Sequence, residues 1–370
     1  MAYKVPFVNY KRQYQQLKGE FDGVFEEVMS GGDFILRRHL EVFEKEIAAF
    51  VGTKHAIGVN TGTDALYLSA HALEFGPGDE VITVAHTFVS TVGAIVQCGA
   101  TPVLVDVRDD FNIDVYRIEK AITTKTKGVI PVHLNGHACE MDKIMELVHK
   151  YELKVIEDAA QALGASYKGR RCGSFGHTAI FSFYPAKMLG TAGDGGMICT
   201  NDDSLARKLR AFRDNGRVES ADTIECFGWC TRLDNLHAAL LSMKFQYFDK
   251  WVERRREIAQ MYDRGLTGID GLVPHPNSNA DYFDVYQNYV IRCKDRNKLV
   301  EHLRNEGVEV LISWPNPIHR QKALELSHFF LSMTERISAE VVSLPMYPEL
   351  TDEEVAYVIE GVRSFFGQLH

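Results

Sequence analysis

Residues 80–107, EVITVAHTFVSTVGAIVQCGATPVLVDV, hold two short apolar runs on either side of one helix-length segment. EVITV (80–84) and TPVLVDV (101–107) are rich in Val, Ile and Thr, the composition of buried strands. Val89–Cys98 between them is long enough to return the chain as a helix, so the unit reads strand–helix–strand. Such a crossover lays its two strands side by side and parallel. The alternation extends outward in both directions. HAIGV (55–59) precedes a helix beginning near Thr63, and the helical Val115–Ile122 follows TPVLVDV. GVIPVHL (128–134) precedes a helix over Met141–Tyr151, and KVIEDA (154–159) comes next. AIFSF (179–183) and GMICT (196–200) close the series. The chain is therefore expected to be an α/β protein, with a mostly parallel central sheet covered by helices on both faces.

Upstream, Leu17, Phe21, Phe25 and Val28 recur at three-or-four spacing and predict a helix over 14–29 with one buried face. Leu40, Phe43, Ile47, Ala48 and Val51 predict a second. Downstream, a long helix starts at Asp202, and the pattern from Arg232 to about Leu266 is helical with little interruption. The remainder mixes VYQNYVIRC, a helix over 295–305, VVSLP and a terminal helix from Asp352. This predicts a large α/β domain over 1–245, including an N-terminal helical segment, and a smaller α+β domain over 246–370. No Ser- or Pro-rich linker separates them, so they should pack together across a cleft.

The 370 residues are 45% hydrophobic and 25% charged, which rules out a disordered or low-complexity chain. The net charge of -9 argues against a nucleic-acid partner, because phosphate backbones repel an acidic surface. The most apolar stretch, Val89 to Val105, is broken by Gly93, Gln97, Gly99 and Pro102, so no membrane partner is expected either. Seven scattered cysteines and an N-terminus without an apolar leader core point to a reduced, cytoplasmic protein.

In an open α/β sheet, ligands gather at the carboxyl ends of the strands. After HAIGV, the segment Asn60-Thr61-Gly62-Thr63-Asp64 offers N–H groups, hydroxyls and a positive helix end, which suit a phosphate. Taken alone it reads first as a capped helix. Asp158 ends a buried strand, where a carboxylate needs a partner; a helix cap explains it equally well. Phe88 follows VITVA at the next strand end, where core packing is the plainer reading. Lys187 lies between AIFSF and the glycine-rich 190–196. Burial there would lower its pKa and make a Schiff-base amine; alone, it reads as a lysine snorkelling from a loop. A phosphate cradle, an aromatic plate, an acid for a ring nitrogen, a hydroxyl at Ser182 and a lysine nevertheless form one set. Together they match the needs of pyridoxal 5'-phosphate (PLP).

The segments that carry these residues resemble the DegT/DnrJ-like family of PLP-dependent sugar-nucleotide aminotransferases, of fold-type I. The likeness runs from VPFVNYKRQYQQL through FEKEIAAFVGTKHAIGVNTGTDAL, GDEVITVAHTFVST, VIPVHLNGH, VIEDAAQALGA and FSFYPAKMLGTAGDGGMICT to RLDNLHAALL, NPIHRQ and SLPMYPELTDEE. The resemblance implies that Lys187 carries the cofactor and shuttles the proton. It implies that Asp158 keeps the pyridine nitrogen protonated, Gln161 bonds the ring hydroxyl and Phe88 stacks on the ring. Gly62, Thr63, Asp64 and Ser182 would hold the phosphate end. It further implies L-glutamate and a sugar nucleotide as substrates. A homodimer with shared active sites is implied as well, with Arg232 entering the neighbouring subunit's site and His319 on the substrate side. The sequence after Lys187 is similar to the subgroup that aminates C-3 rather than C-4.

Four positions depart from the family pattern. Cys230 stands where Asn is usual, Asn135 and Trp314 where Tyr is usual, and Arg37 where Gly is usual; all four are expected near the substrate. Other classes fit less well. A PLP-dependent sugar dehydratase would carry His at the lysine position or a cluster-like Cys set. An NAD-dependent oxidoreductase would show G-x-G-x-x-G after the first strand. A non-catalytic PLP-binding sensor would not need Lys187, and no basic recognition helix is present. His133-x-x-x-His137 is interrupted by Asn135 and Gly136, and Cys226-x-x-x-Cys230 has no second pair, so no metal is expected.

Overall fold

The computed structural model describes residues 3–218, 223–276 and 279–367. Three helices, α1 (Tyr10–Gln16), α2 (Lys18–Gly31) and α3 (Arg38–Val51), lead in. Strand and helix then alternate: β1 (His55–Val59), α4 (Gly62–Ala72), β2 (Glu80–Val84), α5 (Val89–Gln97) and β3 (Thr101–Val105). The series continues with α6 (Val115–Ala121), β4 (Thr126–Val129), α7 (Met141–Lys150) and β5 (Lys154–Asp158). Two short strands, β6 (Ser166–Tyr167) and β7 (Arg170–Arg171), precede β8 (Thr178–Ser182) and β9 (Gly196–Thr200).

The main sheet has seven strands in the order β1-β9-β8-β5-β4-β2-β3. From β3 to β8 all neighbours are parallel, whereas β9 runs antiparallel between β8 and β1. The α/β expectation holds. Because β9 reverses twice, β1 points the same way as β8, and the carboxyl ends of β1, β2, β5 and β8 emerge together. β9 starts at that edge, with Gly196 in register with both Val59 and Ser182. Alternate strand residues feed two cores. Ile57, Val81, Ile156, Ile180 and Ile198 join one, and Ile82, Val155, Phe181 and Met197 join the other. Burial on both faces is why the strands read as unbroken apolar runs.

After β9 come α8 (Asp203–Arg213), α9 (Asn235–Phe245) and α10 (Phe248–Leu266). β10 (Leu272–Val273), β11 (Tyr282–Phe283), β12 (Tyr289–Cys293) and α11 (Arg296–Asn305) follow, then α12 (Ser332–Glu340), β13 (Val341–Leu344) and α13 (Asp352–Gly367). β10, β12 and β13 form an antiparallel sheet with its own core, which also takes in Val5 near the N-terminus. β11 adds to β6, tying the two halves of the chain.

Three expected elements differ in detail. The helix over 14–29 is two helices that meet at Leu17, and Phe25 is 54% exposed because only part of that face packs inward, against α9. The strand in GVIPVHL stops at Val129, since Pro131 has no N–H for the ladder; one bridge resumes between Val132 and Asp158. The run from Arg232 to Leu266 is two helices broken at Gln246–Tyr247. Among the described residues, no helix is long and apolar enough to cross a membrane.

Candidate active site

The shared edge of β1, β2, β5 and β8 opens into a cavity of about 660 Å³, walled on its far side by residues 311–314. Asp158, the last residue of β5, is buried at its base. Burial raises its carboxyl above the ordinary aspartate value. Thr91 pulls it back by donating to Oδ2 at 2.8 Å, and the N–H of Ala160 donates to Oδ1 at 3.2 Å. The charge of Lys187 also favours the ionised form.

Lys187 lines the same cavity, on a turn between β8 and β9. Its N–H donates to the Tyr184 carbonyl at 2.8 Å, and Thr191 N–H closes back to Phe183 at 2.9 Å. Gly190 is required there: a Cβ would lie 2.3 Å from the Pro185 carbonyl oxygen. Burial pushes the Lys187 amine down to about 8, with the Asp158 carboxylate opposing. At neutral pH about a tenth of the amine is then neutral, against far below one per cent for an ordinary lysine with a pKa of about 10.4.

At the other end, Thr61 caps α4, accepting from Asp64 N–H at 2.8 Å and donating to Asp64 Oδ2 at 2.8 Å. Asp64 is thus occupied by the cap and lies outside the cavity wall, while Gly62 and Thr63 present the helix start to it. Thr63 Oγ1 bonds Ser90 Oγ at 2.7 Å. A Cβ on Gly62 would sit 2.9 Å from Ser182 Cβ, so glycine is what lets the helix start approach β8. The Gly196 register brings those two segments together. The result is a concave cradle of N–H groups and hydroxyls at a helix N-terminus.

Phe88 precedes α5, is 59% exposed and lines the cavity. Gln161 accepts the Asn135 N–H at 2.8 Å, which orients its carboxamide and leaves the NH2 as a donor. Asn135, in the left-handed region at φ 57°, stands behind the wall; its Oδ1 accepts from Asn288 Nδ2 at 3.1 Å. It supports two lining residues, Gln161 and Asn288, rather than facing the cavity itself. Trp314 does line the cavity, edge-on to His86 at 5.3 Å.

The other expected substrate-side residues lie elsewhere. His319 is fully buried outside the wall, with Nε2 3.1 Å from Glu335, which also accepts from Arg320. Arg232 is outside its own chain's cavity, bonded to Asp214 Oδ1 at 3.1 Å and Cys230 Sγ at 3.0 Å. Arg37 is at the N-terminus of α3, 3.4 Å from Asp33. His133 and His137 turn to separate carboxylates, Glu157 at 3.0 Å and Asp284 at 2.9 Å. Sequence reasoning missed Thr91, Gln287 and Asn288. Thr91 lies in the first turn of α5, and Thr87, just ahead of that helix, bonds it at 2.9 Å. Gln287 and Asn288 come from a distant segment with no local signal.

A primary amine, a buried carboxylate, an amide donor, an aromatic face and a helix-start cradle fit a flat phosphorylated pyridine aldehyde. The Gly62 contact also makes the cradle one that a Cβ would fill. The sequence model of the DegT/DnrJ/EryC1/StrS aminotransferase family matches residues 15–363. The chain is 42% identical to a pleiotropic regulatory protein of Geobacillus stearothermophilus, over 98% of each chain. It is 39% identical to the dTDP-3-amino-3,4,6-trideoxy-alpha-D-glucose transaminase of Streptomyces venezuelae, over 98% of this chain and 96% of that one. The solved structure of S. venezuelae DesV in complex with a ketimine intermediate is similar over 99% of both chains, with TM-score 0.95 and 39% identity. NtdA of Bacillus subtilis with bound cofactor PMP is similar over all of this chain and 86% of that one, with TM-score 0.93 and 31% identity. The match over nearly the whole length, on a fold that brings the lysine and the aspartate to one cavity, places the chain in the DegT/DnrJ/EryC1/StrS aminotransferase family, with pyridoxal 5'-phosphate as its cofactor.

Proposed function

We propose that this enzyme moves the amino group of L-glutamate to a ketosugar carried on a nucleotide, at C-3 of the sugar. The observation that carries the reading is the pairing of a low-pKa lysine with a buried aspartate in one cavity, in a chain similar to a dTDP-3-amino sugar transaminase. When bound, PLP supplies an aldehyde carbon that takes up the amino group and a pyridine ring that accepts the electrons released at the substrate carbon. Asp158 holds a proton on the ring nitrogen, and Thr91 keeps that carboxylate ionised despite its burial. Lys187 supplies the amine that anchors the cofactor, then accepts and returns the substrate proton. Gly62, Thr63 and Ser182 hold the phosphate, with Asp64 acting through the cap. Gln161 donates to the ring hydroxyl, and Phe88 covers the ring face.

In this reading residues up to 245 form the cofactor-binding unit, apart from the start of the chain, where Val5 packs with the smaller unit over 246–370, and the substrate lies between the two. Trp314 faces the sugar, and Asn135 acts through Gln161 and Asn288. The working form is a cytoplasmic homodimer whose sites are completed by Arg232 of the neighbouring subunit. Exposed Phe34, Phe227 and Trp229 support this, on segments joined by the Ile35–Asp234 bridge. These are large apolar groups for a soluble surface to leave in water. His319 lies outside the cavity lining of its own chain, 3.1 Å from Glu335. The regulatory name of the 42% identical relative favours a second reading, a PLP-binding protein whose output is not turnover.

One experiment separates the readings. The enzyme is converted to its amine-loaded form with glutamate, then offered 3-keto and 4-keto sugar nucleotides and plain 2-oxo acids while the cofactor absorbance is followed. Return of the aldehyde-form absorbance with 3-keto sugar nucleotides is expected. Response to 4-keto sugars alone overturns the C-3 assignment, response to 2-oxo acids alone overturns the sugar reading, and no conversion by glutamate supports the regulator.

A further inference from the structure

The turn that carries Lys187 has no regular secondary structure between Ser182 and Gly196, yet its backbone is tied down by side chains from a distant part of the chain. Gln287, just before β12, grips both residues that flank the lysine. Its Oε1 accepts the Met188 N–H at 2.8 Å, and its Nε2 donates to the Ala186 carbonyl at 2.8 Å. A carboxamide carries an acceptor oxygen and a donor NH2 side by side in one plane, so it can bridge the carbonyl and the N–H on either side of the lysine at once.

Gln287 is itself anchored. The guanidinium of Arg255, buried in α10, donates through Nη1 to three carbonyls: Tyr286 at 3.0 Å, Gln287 at 3.3 Å and Met346 at 2.8 Å. Lys244, also buried, donates to the Gly190 carbonyl at the end of the same turn. Charged donors to carbonyls are stronger than neutral ones, which accounts for two cations kept away from water. Positions 186, 188 and 190 are thus all held from outside the sheet that carries the lysine.

We propose that Gln287, backed by Arg255, is a positioning residue that sets the Lys187 amine in the cavity. The inference rests on the reading that Lys187 anchors the cofactor and moves the substrate proton. Proton transfer depends on sub-ångström placement, and a misplacement of about 1 Å can cost about 100-fold in rate. The clamp also makes the lysine's position depend on the segment after residue 245, so both halves of the cleft define one reacting geometry.

The test uses the PLP-loaded enzyme with Gln287→Ala and the near-isosteric Gln287→Glu. In Gln287→Ala, kcat is expected to fall roughly 10- to 100-fold, with KM for the amino donor within about threefold and the lysine-linked cofactor absorbance retained. Gln287→Glu keeps the acceptor for Met188 but faces the Ala186 carbonyl with a carboxylate, whose pKa burial raises. Protonation restores the missing donor, so its kcat relative to wild type should recover as the pH falls. A purely structural loss would not give that recovery. If Gln287→Ala does not fold, the Glu variant alone carries the test. A Gln287→Ala enzyme with kcat within about twofold of wild type overturns the proposal, as does a Gln287→Glu profile parallel to wild type. Sustained turnover by Lys187→Ala would instead sink the underlying reading of the lysine.

Discussion

Thr91, near the start of α5, donates its hydroxyl proton to Oδ2 of Asp158, at the end of β5, at 2.8 Å. With that proton committed, Thr87 is the donor in its 2.9 Å bond to Thr91. Asp158 also receives the Ala160 N–H, so each of its oxygens has one donor and the charge is held against a burial that opposes it. A hydrogen bond to a charged group is worth about 1.5–3 kcal/mol. Thr91→Val should therefore lower kcat/KM by roughly 10- to 100-fold, and Asp158→Ala by more, because an unprotonated ring nitrogen withdraws electrons poorly. Unchanged steady-state rates in both variants would leave Asp158 only a turn residue that holds the Ala160 N–H, since no helix follows it for a cap.

The Lys187 amine, pushed down to about 8 by burial, should show its pKa during cofactor uptake. Only the neutral amine attacks an aldehyde. Capture of PLP by the cofactor-free enzyme should accelerate about tenfold per pH unit below 8 and level off above it, whereas an ordinary lysine would keep accelerating to about 10.4. Stopped-flow absorbance measures this. A rate still climbing tenfold per unit between pH 9 and 10 contradicts the lowered pKa. Lys187→Ala should abolish both capture and turnover.

Gly62→Ala places a methyl group 2.9 Å from Ser182 Cβ, with the Ser182 Cα and Oγ at 3.4 Å. Overpacking of this kind costs about 1–3 kcal/mol, so PLP affinity should weaken by at least about fivefold. Titration of the cofactor-free variant with PLP reads the change, and undiminished affinity would mean the phosphate does not sit at this helix start.

Shared sites predict rescue between subunits. Lys187→Ala and Arg232→Ala homodimers should each be inactive or nearly so, whereas mixing them under conditions where subunits exchange should restore activity in heterodimers. One composite site in each heterodimer would then be intact. Exchange without recovered activity would mean that Arg232 serves only its own chain, where it meets Asp214 and Cys230.

Glu157 offers a test of the scaffold beneath the site. Fully buried, it accepts the N–H groups of Gly173, Phe175 and Gly176 at 2.8, 2.6 and 2.7 Å and pairs with His133 at 3.0 Å. The Cys139 N–H donates to Nδ1 of that ring, so Nε2 carries the proton toward Glu157. Glu157→Ala strands three N–H groups and should cost about 3–5 kcal/mol in urea unfolding. A loss below about 1 kcal/mol would show that water replaces the carboxylate.

The sheet, the strand-end positions of Asp158 and Ser182, the turn composition around Lys187, and the helix start at Gly62 were legible in the sequence. Each depends on a local signal: apolar period, strand-end position or turn composition. Phe25 was misread as buried because periodicity marks an apolar face without saying whether anything covers it. Asp64 likewise looked like part of the cradle, but its carboxylate had a nearer donor in Thr61.

Thr91 on Asp158, Gln287 on both sides of Lys187 and Asn288 against Asn135 could not be read along the chain, since they join residues 67, 99 or 101, and 153 positions apart. Local patterns determine which elements form and which residues stand at their ends, because backbone geometry and apolar period act over a few residues. Which distant polar groups then meet at those ends is decided by packing. That choice sets the charge on Asp158, the register of Lys187, and the absence of Arg232 and His319 from their own chain's cavity. A hydrogen bond depends on tenths of an ångström in three dimensions, and no spacing along a sequence encodes that distance.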